Sequence, residues 1–386
     1  MITTANSRNI SATSSLTAGN GKRRRIRALI TTPVQSRRGG VSQYFCALAP
    51  YFESTVRYFY VGSRSDQESP QASLVRMIMD SVRFANALRT EEYDIVHLNP
   101  SLGTKALVRD GILLLLAKAS GHVAIVFIHG LEGAFKGASA VFLRGFFRLV
   151  YNHANGFVVL SSEVRAKLIE LGCERRIFLH QAPVNDEFIS ARPVIRDVLD
   201  EFSRPFRILF LARIERNKGI YEAIETYRLL QTDFPFARLT VAGDGSELPA
   251  VRECVANLGL PGVVFTGFVE GSRKLGALQS ANVYLFPSYY EGLPLSVLEA
   301  MACGLPVVAT AVGGLRDFFV DGRMGFLADG PDPAILARLL AELIRNPELC
   351  STIRSFNHAY ARDHFHPRQV AVGLDCFYRS VLGWSD

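Results

Sequence analysis

The sequence predicts an α/β protein built from two doubly wound, Rossmann-like domains that face each other across a cleft. Three observations predict it. Short apolar runs rich in Val, Ile and Phe, such as 123–128 (VAIVFI) and 283–286 (VYLF), have the pattern of strands buried on both faces. Stretches of helical period alternate with them, which implies a parallel sheet covered on both sides. The alternation breaks between 181 and 205 into Pro, Asn, Asp and Arg, then begins again. At 386 residues, 48% hydrophobic, the chain can fill two cores.

Charge and cysteine content exclude several classes. The formal net charge is +7, but residues 1–38 hold Arg8, Lys22, Arg23, Arg24, Arg25, Arg27, Arg37 and Arg38 and no acid, so the rest is close to neutral. A basic segment on a neutral body disfavours nucleic-acid binding. Cys46, Cys173, Cys254, Cys303, Cys350 and Cys376 show no CxxC spacing, so neither zinc nor a disulfide framework is expected. No apolar run reaches the roughly 18 residues of a membrane span, and the N-terminus lacks the apolar stretch of a secretory signal. A cytoplasmic location is expected, with possible peripheral contact at the inner face of the cell membrane.

Taken in order, residues 1–21 are Ser, Thr, Asn and Gly rich without periodicity and predict a disordered leader. A first domain is expected over 22–185. Its strands are 27–32, 56–61, 94–99, 123–128 and 157–160, and its helices 74–88, 104–119, 140–155 and 163–171. Gly39 and Gly40 lie between the first strand and a helical pattern, where glycines let backbone approach a ligand. His129 ends the strand 123–128, at the edge where such sheets bind ligands, whereas His97 lies inside its strand and reads as a core histidine. The helix 140–155 carries Phe142, Phe146 and Phe147 with Arg144 and Arg148, a combination that suits either packing on the sheet or lipid contact.

After a linker over 186–205, a second domain is expected over 206–364. Strand 207–211 leads into Ala212-Arg213-Ile214-Glu215-Arg216-Asn217-Lys218-Gly219, where Arg213 and Lys218 could clamp a diphosphate. Strand 238–242 is followed by Gly243-Asp244-Gly245-Ser246-Glu247-Leu248, which begins like a dinucleotide fingerprint. It lacks the last glycine, so a nicotinamide cofactor is rejected. Strand 263–266 precedes Gly267-Phe268-Val269-Glu270. The segment 333–345 reads as a helix, and 365–386 as a terminal helix returning to the first domain.

Residues 287–309, PSYYEGLPLSVLEAMACGLPVVA, organise the rest. Glu291 precedes the turn Gly292-Leu293-Pro294, and Glu299 lies one turn into the helix that starts near Leu295. The open N–H groups of that helix start attract phosphate, and the flanking carboxylates can accept hydrogen bonds from sugar hydroxyls. Glu299 is surrounded by Val297, Leu298, Ala300, Met301 and Ala302, where an unpaired carboxylate would be costly.

This stretch resembles the signature of the retaining GT-B glycosyltransferases of family four, the glycosyl transferases group 1, with seven residues between Glu291 and Glu299. The resemblance is dense over 207–340 and thin before 181. It implies two Rossmann-like domains, a nucleoside-diphosphate-sugar donor and a glycan or lipid-linked acceptor, in cell-surface polysaccharide synthesis. It also implies no metal and no further cofactor. By resemblance Arg213 and Lys218 hold the diphosphate, Glu291 and His129 meet the donor sugar, and Glu299 grips the ribose. Gly39 and Gly40 face phosphates and sugar, Phe268 and Val269 lie at the base, and Gly292, Leu293, Pro294 and Leu295 complete the donor loop. The chain departs from the family pattern at Ala212 and at Ala182-Pro183-Val184-Asn185-Asp186, each lacking a usual glycine. Two other readings share the architecture: a sugar-nucleotide 2-epimerase and a catalytically silent sugar-nucleotide-binding subunit.

Overall fold

A computed structural model describes residues 24–34, 39–62, 69–100, 104–130, 140–191 and 205–384. The expected leader and most of the expected linker lie outside these residues.

Two parallel six-stranded sheets organise the chain. The first contains β1 (Arg27–Thr32), β2 (Thr55–Tyr60), β3 (Ile95–Leu98), β4 (Val123–Ile128), β5 (Gly156–Val159) and β6 (Ile177–Leu179), in the order β2-β1-β3-β4-β5-β6. The second contains β7 (Arg207–Leu211), β8 (Arg238–Ala242), β9 (Val263–Gly267), β10 (Val283–Phe286), β11 (Val307–Thr310) and β12 (Gly325–Ala328), in the order β12-β11-β10-β7-β8-β9. Central strands are buried along almost their whole length, as in β4, β10 and β11, because helices cover both faces. In the edge strand β9, and over the first four residues of β2, exposed residues alternate with partly buried ones, as in half-covered strands.

Strand order reverses between β1 and β3 in the first sheet and between β7 and β10 in the second. Crevices at the carboxyl ends of strands flanking such a reversal are where doubly wound folds bind ligands. The loops after β7 and β10 carry Arg213, Lys218, Glu291 and the Gly292-Leu293-Pro294 turn.

The halves are joined by more than one element. The helix Asp186–Ile189 falls at the start of the expected linker, yet Phe188 and Ile189 are buried and it packs against the helix Leu295–Ala302. The helix Pro347–His364 also packs on Leu295–Ala302, and Pro367–Leu382 crosses to the helix Gly40–Leu48. There Asp375 accepts from the Glu53 amide at 2.9 Å and from the Ser54 hydroxyl. The segment expected as one helix over 140–155 is instead an α-helix, Ala140–Phe146, continued by a wider π turn, Phe147–Tyr151. In that turn Phe147 and Tyr151 stack at 4.9 Å and are both buried, so helical spacing alone does not reveal the change of pitch.

Candidate active site

The loops after β7 and β10 are locked together by backbone. Gly219 has φ +75°, and a Cβ there would lie 1.9 Å from the Pro287 carbonyl oxygen, so only glycine allows this approach. The Tyr289 amide donates to the Asn217 carbonyl at 3.0 Å. This brings Lys218 onto Glu291, with Nζ to Oε1 at 2.7 Å, and Ser288 Oγ donates to the same oxygen at 3.0 Å. Both charged side chains are largely buried, so the pair is screened less than a surface one. The turn after β8 braces the loop from the other side, with the Ile214 amide donating to the Asp244 carbonyl at 2.9 Å and Glu247 N–H to the Ile214 carbonyl at 3.0 Å. The Gly243-Asp244-Gly245 sequence is therefore a tight turn supporting the cationic loop.

Glu299 is not left unpaired. Lys274, in the helix Gly271–Ser280, donates to its Oε1 at 2.6 Å. Burial raises the Glu299 pKa, Lys274 opposes that shift, and the nearby Glu187 adds to it. The opposing contributions describe a carboxylate that depends on its lysine. Arg213 is differently placed, with a side chain 67% exposed and held to Glu215 at 2.6 Å. Its guanidinium can swing from Glu215 to an anion in the crevice at little desolvation cost.

These groups line one cavity of about 480 Å³. Its wall includes Gly40, Arg213, Lys218, Phe268, Val269, Glu291, Leu293, Pro294, Leu295 and Glu299, ten of the positions singled out from the sequence. The helix Leu295–Ala302 starts at this wall with Pro294 as its N-cap, and its first-turn N–H groups have no carbonyl one turn back to bond. Gly39, His129 and Gly292 do not line this cavity. Gly292 instead presses on the first sheet's edge, since a Cβ on it would lie 1.9 Å from the His129 carbonyl oxygen. A larger cavity, about 970 Å³, lies between the helix Ser162–Glu170 and the loops after β10, β11 and β12, and Glu291 lines both.

His129 is a neutral imidazole. Burial lowers its pKa to about 3. Its ring stacks on Phe127 with centroids 3.9 Å apart, and Nε2 lies 3.0 Å from Asn99 Oδ1. Asn99 Nδ2 donates to the Thr31 carbonyl at 2.8 Å, which turns Oδ1 toward the histidine. Nε2 therefore carries the proton, and Nδ1 keeps a lone pair able to accept from a hydroxyl. His97 is fully buried beneath it, as its position inside β3 predicts.

Sequence reasoning missed Lys274, Glu187 and Asn99. For Lys274 the available signal was Glu299 itself, because a carboxylate flanked by apolar residues demands a cation. Which cation answers that demand is set by packing between helices 25 positions apart in the chain.

Comparison with known proteins covers both halves of the chain. The family model described as Glycosyltransferase Family 4 matches residues 38–188, and that of Glycosyl transferases group 1 matches 191–358. The putative glycosyltransferase EpsD of Bacillus subtilis is 30% identical over 276 residues, 68% of this chain and 70% of that protein. The chain belongs to the group 1 glycosyltransferases. Within this family it is also similar to the putative colanic acid biosynthesis glycosyltransferase WcaL of Escherichia coli, at 28% identity over 255 residues, 64% of this chain and 60% of WcaL. Several other curated relatives align over only about half of their own length. Among solved structures, Anabaena HepE in complex with UDP-glucose superposes with a TM-score of 0.69 at 19% identity, covering 92% of this chain and 100% of HepE. The fold of this glycosyltransferase is thus GT-B, two Rossmann-like domains each built on one of the parallel sheets.

Proposed function

We propose that the chain transfers a sugar, with retention of anomeric configuration and without a metal, from a nucleoside-diphosphate sugar to a glycan or lipid-linked acceptor in surface polysaccharide synthesis. The observation that carries this reading is the convergence of Arg213, Lys218, Glu291, Glu299 and the start of the helix Leu295–Ala302 on one cavity at the strand-order reversal of the second sheet. HepE, which shares the fold, is solved with UDP-glucose, and WcaL is named for colanic acid biosynthesis.

In this mechanism the diphosphate lies against Arg213, Lys218 and the helix-end amides, which neutralise the charge that grows as the bond from the anomeric carbon to the diphosphate breaks. These cations do the work a divalent ion does elsewhere. Lys218 leaves Glu291 for the phosphate, which frees Glu291 to accept from donor-sugar hydroxyls. His129 Nδ1 accepts from another hydroxyl of that sugar, and Glu299, held by Lys274, takes the ribose. The acceptor hydroxyl oxygen bonds to the anomeric carbon on the face the phosphate leaves, and its proton passes to a leaving-phosphate oxygen.

The test is a thermal-shift screen with UDP-, GDP- and ADP-sugars, followed by transfer assays with and without EDTA. One class of nucleotide sugar should raise Tm, and transfer should survive chelation with the product in the retained configuration. A new isomer of the free donor would indicate the epimerase. Binding without transfer to any acceptor would indicate a silent subunit, and no Tm shift with any donor would sink the site assignment.

A further inference from the structure

The helices Pro70–Thr90, Thr104–Ala119 and Ala140–Phe146, the last continued by Phe147–Tyr151, form one layer on one side of the first sheet. Their inward residues, among them Phe84, Leu113 and Phe147, share one core. Their outward residues are unusual for a surface. On Pro70–Thr90, Leu74, Ile78 and Val82 make a row at four-residue spacing, Val75 and Met79 flank it, and each is 55–64% exposed. At the other edge of the layer Val141, Phe142 and Leu149 are 82%, 65% and 74% exposed. By contrast, Pro333–Arg345 in the second domain turns Leu336, Leu340 and Leu343 inward. A contiguous exposed apolar row of this length marks a docking surface.

The accompanying charges decide what docks. Arg83, Arg89 and Lys105 on these helices are exposed, whereas Arg144 lines the larger cavity and Arg148 lies against Gly172. The carboxylates on the same helices, Asp80 and Asp110, are buried, with Asp80 3.3 Å from Arg83 and Asp110 2.6 Å from Arg109. The layer therefore presents apolar side chains framed by cations, with no exposed carboxylate among its described residues. A second copy meeting this face across a two-fold axis would bring more cations to it and no exposed carboxylate to pair with them. Among the described residues no helix is long and apolar enough to cross a membrane.

We propose that this layer docks the first domain on a membrane surface bearing anionic headgroups. The row on Pro70–Thr90 enters the headgroup–acyl boundary, and the arginines pair with lipid phosphates. The inference stands apart from the donor assignment, because it uses none of the residues that line the 480 Å³ cavity.

The experiment is co-sedimentation of the full chain with vesicles of phosphatidylcholine alone or with added phosphatidylglycerol. Wild type should bind the anionic vesicles well and the neutral ones weakly, and added salt should release it. Ile78→Glu with Val82→Glu should lower binding about tenfold or more. Arg89→Glu with Lys105→Glu should lower binding to anionic vesicles about tenfold while leaving the weak neutral binding unchanged. Unaltered Tm and an unaltered donor-induced Tm shift establish that the variants are folded. If the glutamate pair lowers Tm, Ile78→Ser with Val82→Ser replaces it. Three results overturn the proposal. The first is wild type failing to bind anionic vesicles, and the second is the apolar variant binding as wild type, which would assign lipid contact to another segment. The third is a dimer, seen by light scattering, that the apolar variant converts to monomer, which would assign the face to a second copy.

Discussion

The two sheets bring different chemistry to their facing edges. The second contributes ions held in pairs, Lys218 with Glu291 and Lys274 with Glu299. The first contributes neutral rings: His129, His97 and His180, with Tyr44 and Phe127 packed among them. Burial keeps all three histidines uncharged, with His180 lowered to about 4 and His97 well below its usual value. The difference teaches a division of labour. Charge that must meet a phosphate is stored beside a counter-ion that can be exchanged, whereas a group that only accepts from a hydroxyl is kept dry and fixed.

The comparison breaks first at Lys218. Lys218→Met should cut turnover about a thousandfold, the scale of losing one preorganised donor to a developing anion. A kcat within a few-fold of wild type would mean that this pair is structural. Glu299→Ala leaves Lys274 charged and largely buried, so it should cost about 3 kcal/mol of stability and weaken donor binding with it. Denaturant melts and donor titrations check both, and Glu299→Gln should recover part of each because it keeps an acceptor for the lysine.

Acid should act on the first domain before the second. The three histidines have folded-state pKa values below the unfolded value near 6.5, so the unfolded chain binds more protons as pH falls through that value. Stability is therefore complete above about pH 6.5 and declines below it, by at most about 1.4 kcal/mol per pH unit for each fully buried histidine. Melts between pH 7 and pH 4.5 should show the first domain unfolding earlier. A flat Tm over that range would contradict the neutral cluster.

The smallest expected effect lies where the domains touch. Gly292→Ala places a methyl against the His129 carbonyl and must push the edges apart, so turnover should fall about tenfold with little change in Tm. A wider separation by small-angle scattering would accompany it.

Much of this was legible because it depends on neighbours in the chain. The buried strands β4 and β10, the helix start at Leu295 and the spacing of Glu291 and Glu299 are local patterns, and each is found where its sequence puts it. Boundaries moved where an end is set by pairing, as in β2, which starts at Thr55 because Thr55 pairs with Arg27. The strand Ile177–Leu179 escaped notice because three residues carry no period, and an edge strand needs only one neighbour. Outward-facing apolar residues on Pro70–Thr90 could not be told from core ones, since periodicity gives a face without saying what covers it.

The sequence by itself determined the alternation of strands and helices, the family signature and the residue types available to the cleft. Those follow from local periodicity and from motif residues a few positions apart. Tertiary structure decided that Lys274 neutralises Glu299, that Asn99 sets the His129 tautomer, and that Gly292 seats one domain on the other. Each joins residues 25 or more positions apart, and only the packing of finished elements brings such groups within hydrogen-bonding or van der Waals distance.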